Sequence, residues 1–183
     1  TLVAGNPNGS TGVWMQVPND SLWEQNSAYI LATNMNATAF NGIEDVEFGP
    51  DGRMYFASKG HGRIYRFIDN GTSISDFETF VGGASYDITI DGNVYSEPWD
   101  LGNDNLAFDS EGNLWVLQDG GKNYIWVVRN DHTQQNPQVE IFGSTPLGGE
   151  PTGITFSPDK RFLFMSIQHP NNTNGSQLDA TGN

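Results

Sequence analysis

The chain has 183 residues with 8 basic against 22 acidic side chains, a formal net charge of −14, and no cysteine. That balance argues against a nucleic-acid partner, since gripping a phosphate backbone takes clustered Lys and Arg, and it suits divalent cations or a salty exterior; the missing cysteine excludes disulfides, thiolate metal sites and a thiol nucleophile within these residues. Hydrophobic residues reach only 36%, but 12% aromatics and 22 glycines describe a β-rich chain with many turns, and no stretch approaches the roughly 20 apolar residues of a membrane span.

The polar, Gly-rich opening over residues 1–12 reads as a loop, and GVWMQVP over 12–18 as a short strand. Residues 28–39 are the best helical candidate in the chain. From Ile43 the pattern is β. VEFG, a Pro50-Asp51-Gly52 turn and MYFAS make a hairpin, and strands follow over 63–68 and 76–82. Four short strands joined by turns are the content of one propeller blade. NLAFD, NLWVLQD, YIWVVRN and VEIFGS repeat that content. GITFS and FLFMSIQ begin a third unit, and a polar tail covers 171–183.

Three stretches are versions of one string: EDVEFGPDGRMYFA from Glu44, DNLAFDSEGNLWVL from Asp104 and EPTGITFSPDKRFLFM from Glu150. Aligned on Phe48, Phe108 and Phe156, they recur after 108 − 48 = 60 and 156 − 108 = 48 positions, the mark of an array of β-units. The expected fold is all-β: about three antiparallel four-stranded blades of a β-propeller, in one partial propeller domain over 1–183. Its units start near residues 43, 103 and 150, with 1–42 a lead-in strand and loop belonging to a preceding blade. A propeller closes with about four to eight blades, and natural proteins avoid open strand edges. The expectation is therefore a carboxyl-terminal portion of a longer polypeptide, or a ring completed by other chains.

The first strand of each blade lines the channel, so residues just before it lie at one mouth. Glu44, Asp104 and Glu150 stand there, with Asp45 and Asn105 beside the first two. Carboxylates gathered at one mouth repel one another unless a cation neutralises them. Hard oxygen donors suit calcium or magnesium, and calcium tolerates irregular geometry best. Glu44, Asp104, Asn105 and Glu150 are accordingly candidate metal ligands, with calcium the expected ion; the competing reading makes them turn formers and caps. Asp51, Glu111 and Asp159 read as turn residues, as does Asp119 at the end of QD. His169, just before Pro170 where a strand leaves its blade, is a candidate general base or ligand. His61 and His132 read as solvated loop residues. Lys59, Arg63 and Arg66 form the densest basic cluster, able to hold a phosphate or carboxylate or simply to offset the acidic surface. No Ser-His-Asp spacing, P-loop or His-Glu-x-x-His motif is present.

The strings GVWMQVPN, ATAFNGIEDVEFGPDGRMYFA, DNLAFDSEGNLWV, DGG and GGEPTGITFSPDKRFLFMSIQHP, in this order from about residue 12 to 170, resemble the carboxyl-terminal part of PhoX-type alkaline phosphatases. The resemblance implies a six-bladed propeller whose channel holds calcium and iron. It implies hydrolysis of a phosphorylated small molecule, in a bacterial protein that is extracellular or periplasmic. It makes Glu44, in a Glu-Asp motif, and Glu150, in Glu-x-Thr-Gly, metal ligands, with Asp104 a third candidate, and it makes the chemistry metal-assisted attack on phosphorus. The family usually carries Arg-Pro before the first glutamate, where Gly42 and Ile43 stand here, and a cysteine from its amino-terminal half bridges the iron pair. Two readings stand beside the phosphatase. One is a non-catalytic, calcium-stabilised propeller serving as a surface or assembly module; the other is a lactonase-like hydrolase, which the Asp-Asn-Leu string allows.

Overall fold

In the computed structural model, which describes residues 9–17 and 28–182, the protein is nearly all β, as its sequence leads one to expect. After β1 (Ser10–Val13) and helix α1 (Ala28–Asn34) come β2 (Ile43–Phe48), β3 (Met54–Ser58), β4 (Arg63–Asp69) and β5 (Ser73–Gly82). They form one antiparallel five-stranded sheet in the order β1-β5-β4-β3-β2. A hairpin of β6 (Ser85–Ile90) and β7 (Asn93–Pro98) follows. Next is a four-stranded sheet, ordered β11-β10-β9-β8, of β8 (Asn103–Phe108), β9 (Leu114–Gln118), β10 (Tyr124–Val128) and β11 (Val139–Ser144). β12 (Glu150–Phe156) and β13 (Leu163–Gln168) pair as a third sheet.

Three sequence expectations shift. The strand expected over 12–18 begins and ends earlier, because its partner β5 starts at Ser73, opposite Val13; Pro18 lies outside the described residues. The sequence assigns the lead-in to a preceding blade, but β1 pairs with β5 as the outermost strand of the first sheet. Trp14 helps hold it there, its indole N–H donating to Asp69 at 2.9 Å. The helix expected over 28–39 stops at Asn34. Asn36 turns left-handed at φ 55°, and the N–H groups of Ala37 and Asn36 reach back to the carbonyls of Ala32 and Thr33, a Schellman termination. The β6–β7 hairpin is an addition to the sequence expectation, and Asp91-Gly92 between alternating residues is its turn signal. Both residues have positive φ, 51° and 80°.

Strand alternation gives each sheet two apolar faces. Tyr55, Ala57, Ile64 and Phe80 of the first sheet pack against Leu114, Val116, Trp126 and Val128 of the second. The other face of the second, with Ala107, Leu117 and Ile125, packs against Ile154, Phe156 and Leu163 of the third. Consecutive sheets stacked face to face in this way are propeller blades. Each fully buried large side chain contributes about 1.5–3 kcal/mol. Trp126, fully buried, also stacks on Trp99 at 4.8 Å and donates its indole N–H to Gln118 at 2.9 Å. The β6–β7 hairpin is tied down by Glu97, which receives Lys122 at 2.9 Å and the Tyr124 hydroxyl at 3.0 Å.

Candidate metal centre

The inner strand of each blade carries a register break: between Ile43 and Val46 in β2 and Asn103 and Leu106 in β8, equivalent positions when Phe48 and Phe108 are aligned, and one position later, between Thr152 and Thr155, in β12. Such bulges bend the strand and re-aim the side chains inside them. In β2 and β8 the enclosed pairs are Glu44-Asp45 and Asp104-Asn105. The second member of each pair clasps the next sheet. Asp45 accepts the Leu106 N–H at 2.9 Å. Asn105 accepts the Gly153 N–H at 2.8 Å and the Thr152 hydroxyl at 2.9 Å.

In β8 the first member, Asp104, faces the mouth. There Asp104, Asp119 and Glu150 each bring one carboxylate oxygen within 4.8 Å of the others, the acidic group found among the described residues. Asp104 arrives from the β8 bulge and is only 9% exposed. Glu150 opens β12. Asp119 follows β9, and its N–H donates to the Gly102 carbonyl at 2.7 Å. Gly102 sits at φ +99°, and a Cβ there would collide with the Asp119 carbonyl, so this junction requires glycine. Two sequence candidates stay out of the group. Asn105 uses its oxygen on the sheet contact, and Glu44 is exposed and lies outside the carboxylate group.

Its place at the end of QD marks Asp119 as a turn residue, yet it supplies one of the three carboxylates. The signal lay in hairpin geometry: Gln118 pairs with Asn103, so the residue ending the second strand returns beside the entrance of the first. Lys59 takes the corresponding place in the first sheet, one residue after Ser58, which pairs with Ile43. Its ammonium lies 2.7 Å from Asp119 and 3.1 Å from Asp104. Burial by itself would lower the Lys59 pKa; the hydrogen bonds to Asp119 and Asp104 outweigh it and hold the pKa above its ordinary value. Glu150 has no such ammonium at bonding distance. Burial, then the charge on Asp119, raises its pKa, and Asp104 adds to the shift. His169 stands at the rim, its Nε2 3.6 Å from Glu150. Lys59, Gly60, Gly102, Asp119 and Gly120 line a cleft of about 550 Å³ beside the group.

The remaining candidates resolve as structure. His132 is buried and not a solvated loop residue: its Nε2 lies 3.0 Å from the Phe80 carbonyl, and its Nδ1 accepts the Gln138 N–H at 3.0 Å. His61 contacts the Ser58 hydroxyl at 3.1 Å. Arg66 does not join Lys59; it donates to Glu78 at 2.7 Å and lies over the Phe80 ring. Asp51 and Asp159 accept N–H groups inside their own turns, as read.

Stacked antiparallel blades define a β-propeller, and at one mouth three of its carboxylates converge in a group that could hold a metal ion. The family model for alkaline phosphatase PhoX matches residues 4–171, and the chain belongs to that family, which is metal-dependent. It is also similar to a solved structure described as "Pseudomonas fluorescens PhoX in complex with vanadate, a transition state analogue", with a TM-score of 0.66 and 22% identity over 94% of this chain. A likeness at that identity speaks for the fold. The chain spans 39% of that solved chain. No protein with a curated description matches it. The residues present fit a metal ion on chemical grounds: the donors are three hard carboxylate oxygens, and a lysine ammonium already stands among them as a cation.

Proposed function

We propose that the chain is part of a metal-dependent phosphomonoesterase acting outside the cytoplasm. The observation that carries this reading is the convergence of Asp104, Asp119 and Glu150 in a chain of the PhoX alkaline phosphatase family. Those three residues hold the ion, and the hard, irregular donor set suits calcium; iron rests on the family resemblance. A metal bound there supplies Lewis-acid polarisation of a phosphoryl oxygen. Glu44, at the neighbouring bulge, is a further ligand on this reading. His169 orients Glu150, and the adjacent cleft receives a phosphorylated small molecule. Among the described residues no helix is long and apolar enough to cross a membrane.

The remaining blades complete the centre. On the outer face of the first sheet Phe56, Tyr65, Phe67 and Phe77 form a buried cluster packed against Phe40, while Ile43 and Val46 at its edge are 52% and 47% exposed. By register, Met54 and Phe56 occupy the places through which Leu114 and Val116 of the second sheet meet the first. A further β-sheet of the longer protein packs on this face.

The full-length protein, supplied with calcium and iron, is expected to hydrolyse a chromogenic phosphomonoester and to lose turnover on chelation and in Asp104→Asn. Absence of turnover with both ions present refutes the phosphatase. One feature favours a second reading, the calcium-stabilised non-catalytic module: Gly42 stands where the family carries its arginine. That reading expects a chelator-sensitive melting temperature without hydrolysis.

A further inference from the structure

We infer that Lys59 is a resident counter-ion of the metal centre, which an incoming divalent cation must displace from Asp104 and Asp119. The inference rests on reading Asp104, Asp119 and Glu150 as metal ligands. The ammonium contacts the Oδ2 atoms of Asp104 and Asp119 at 3.1 and 2.7 Å. Calcium takes carboxylate oxygens at about 2.3–2.6 Å. A dication at that distance from both Oδ2 atoms would lie against the ammonium, and two cations cannot share those oxygens without strong repulsion. One of them has to leave.

The fold lets the lysine leave cheaply. Its backbone is fixed, because the Lys59 N–H donates to the Gly42 carbonyl at 2.7 Å. Only the four-carbon stem has to swing. The side chain is already 32% exposed, and the cleft beside it, lined by Asp100 and Leu101 as well as by Gly60, Gly102, Gly120 and Gly121, gives the stem room along its glycine wall. The Lys59–Asp119 contact joins corresponding positions of two successive blades, so the counter-ion comes from the same structural slot as one of the ligands. In the metal-free protein the lysine keeps the two carboxylates together. In the loaded protein it sets the affinity threshold that an ion must exceed, a threshold that monovalent ions meet poorly.

The test is calcium titration by calorimetry on the full-length protein, together with melting temperatures in chelator and in saturating calcium. Lys59→Met and Lys59→Gln are expected to bind calcium about tenfold more tightly, equivalent to about 1.4 kcal/mol. They are also expected to melt lower than wild type in chelator, with the gap closing in calcium. Lys59→Arg, whose planar fork holds two carboxylates more rigidly, is expected to bind calcium more weakly; it keeps the test open if the neutral variants fail to fold. Weaker or unchanged calcium binding in Lys59→Met and Lys59→Gln overturns the inference, because the lysine would then organise the ligands and not compete with the ion. Asp104→Asn separates the two claims: loss of calcium binding there establishes the centre independently of Lys59, and its persistence removes both.

Discussion

Replacing Asn105 by alanine distinguishes a ligand from a clasp. The Asn105 oxygen receives the Gly153 N–H at 2.8 Å and the Thr152 hydroxyl at 2.9 Å, both on β12. Each such bond is worth about 1 kcal/mol net, and the site is only half-buried, so their joint loss costs about 2 kcal/mol. For a domain of this size that lowers the melting temperature by about 4–8 °C. The loss should appear in the metal-free protein, since it concerns contact between sheets. Calcium affinity should fall as well, because β12 begins with Glu150 and a loosened β12 misplaces that carboxylate. Asn105→Asp keeps the acceptor and should restore most of the stability. The assay is calorimetric unfolding in chelator, followed by calcium titration. An Asn105→Ala protein with an unchanged metal-free melting temperature and abolished calcium binding would refute the clasp and return Asn105 to the list of ligands.

Asp119→Asn should lower calcium affinity by at least about tenfold, since it removes one of three anionic donors; calorimetric titration checks it, and an unchanged affinity removes Asp119 from the centre. Trp126→Ala should cost about 3–5 kcal/mol through the cavity left in the core, measured by denaturant unfolding, with no change in the spacing of the carboxylates. His132 gives a pH signature. Burial lowers its pKa against the pull of the Phe80 carbonyl; Arg66 adds to the lowering and Asp131 opposes it. The unfolded chain therefore takes the proton first. The stability due to the neutral ring is full above the unfolded value of about 6.5 and is lost as pH falls through it toward the lower folded value. Melting temperatures of wild type and His132→Asn should converge between about pH 7 and pH 5; curves that stay parallel count against a buried neutral ring.

The strands were legible because alternation is a local property. Met54, Phe56 and Tyr55, Ala57 announce two apolar faces from five residues of sequence, and turns such as Pro50-Asp51-Gly52 mark where the chain reverses. The carboxylates at Asp104 and Glu150 were legible because three copies of one string place them before equivalent strands. Asp119 was not, since it lies 15 positions from Asp104 and joins it only through the pairing of Gln118 with Asn103. His132 was hidden for a similar reason: its partner carbonyl, on Phe80, is 52 residues away. Asn105 shows the opposite failure. Its place beside Asp104 suggested coordination, but within a bulge neighbouring side chains point to different surroundings, and only one of them reaches the mouth.

Repetition also explains how one mouth comes to be both acidic and self-neutralised. Blades present equivalent backbone slots, and each slot is free to carry a different side chain without altering the sheet. The slot after the second strand holds Lys59 in one blade and Asp119 in the next, and the geometry of successive blades brings the two within 2.7 Å. The bulge slot holds Glu44 and then Asp104, of which the second enters the carboxylate group and the first stays exposed. A symmetric scaffold thus yields an asymmetric centre by changing side chains alone. The metal affinity of such a centre depends on which slot holds the lysine as well as on how many carboxylates the repeats supply. Exchanging the two, Lys59→Asp with Asp119→Lys, keeps both charges and the backbone. If the slots are equivalent in effect, the exchanged protein should fold and bind calcium; if position matters as the Asp104 contact implies, it should fold and bind calcium at least about tenfold more weakly, since the lysine would then sit in the same sheet as Asp104 and keep hold of it.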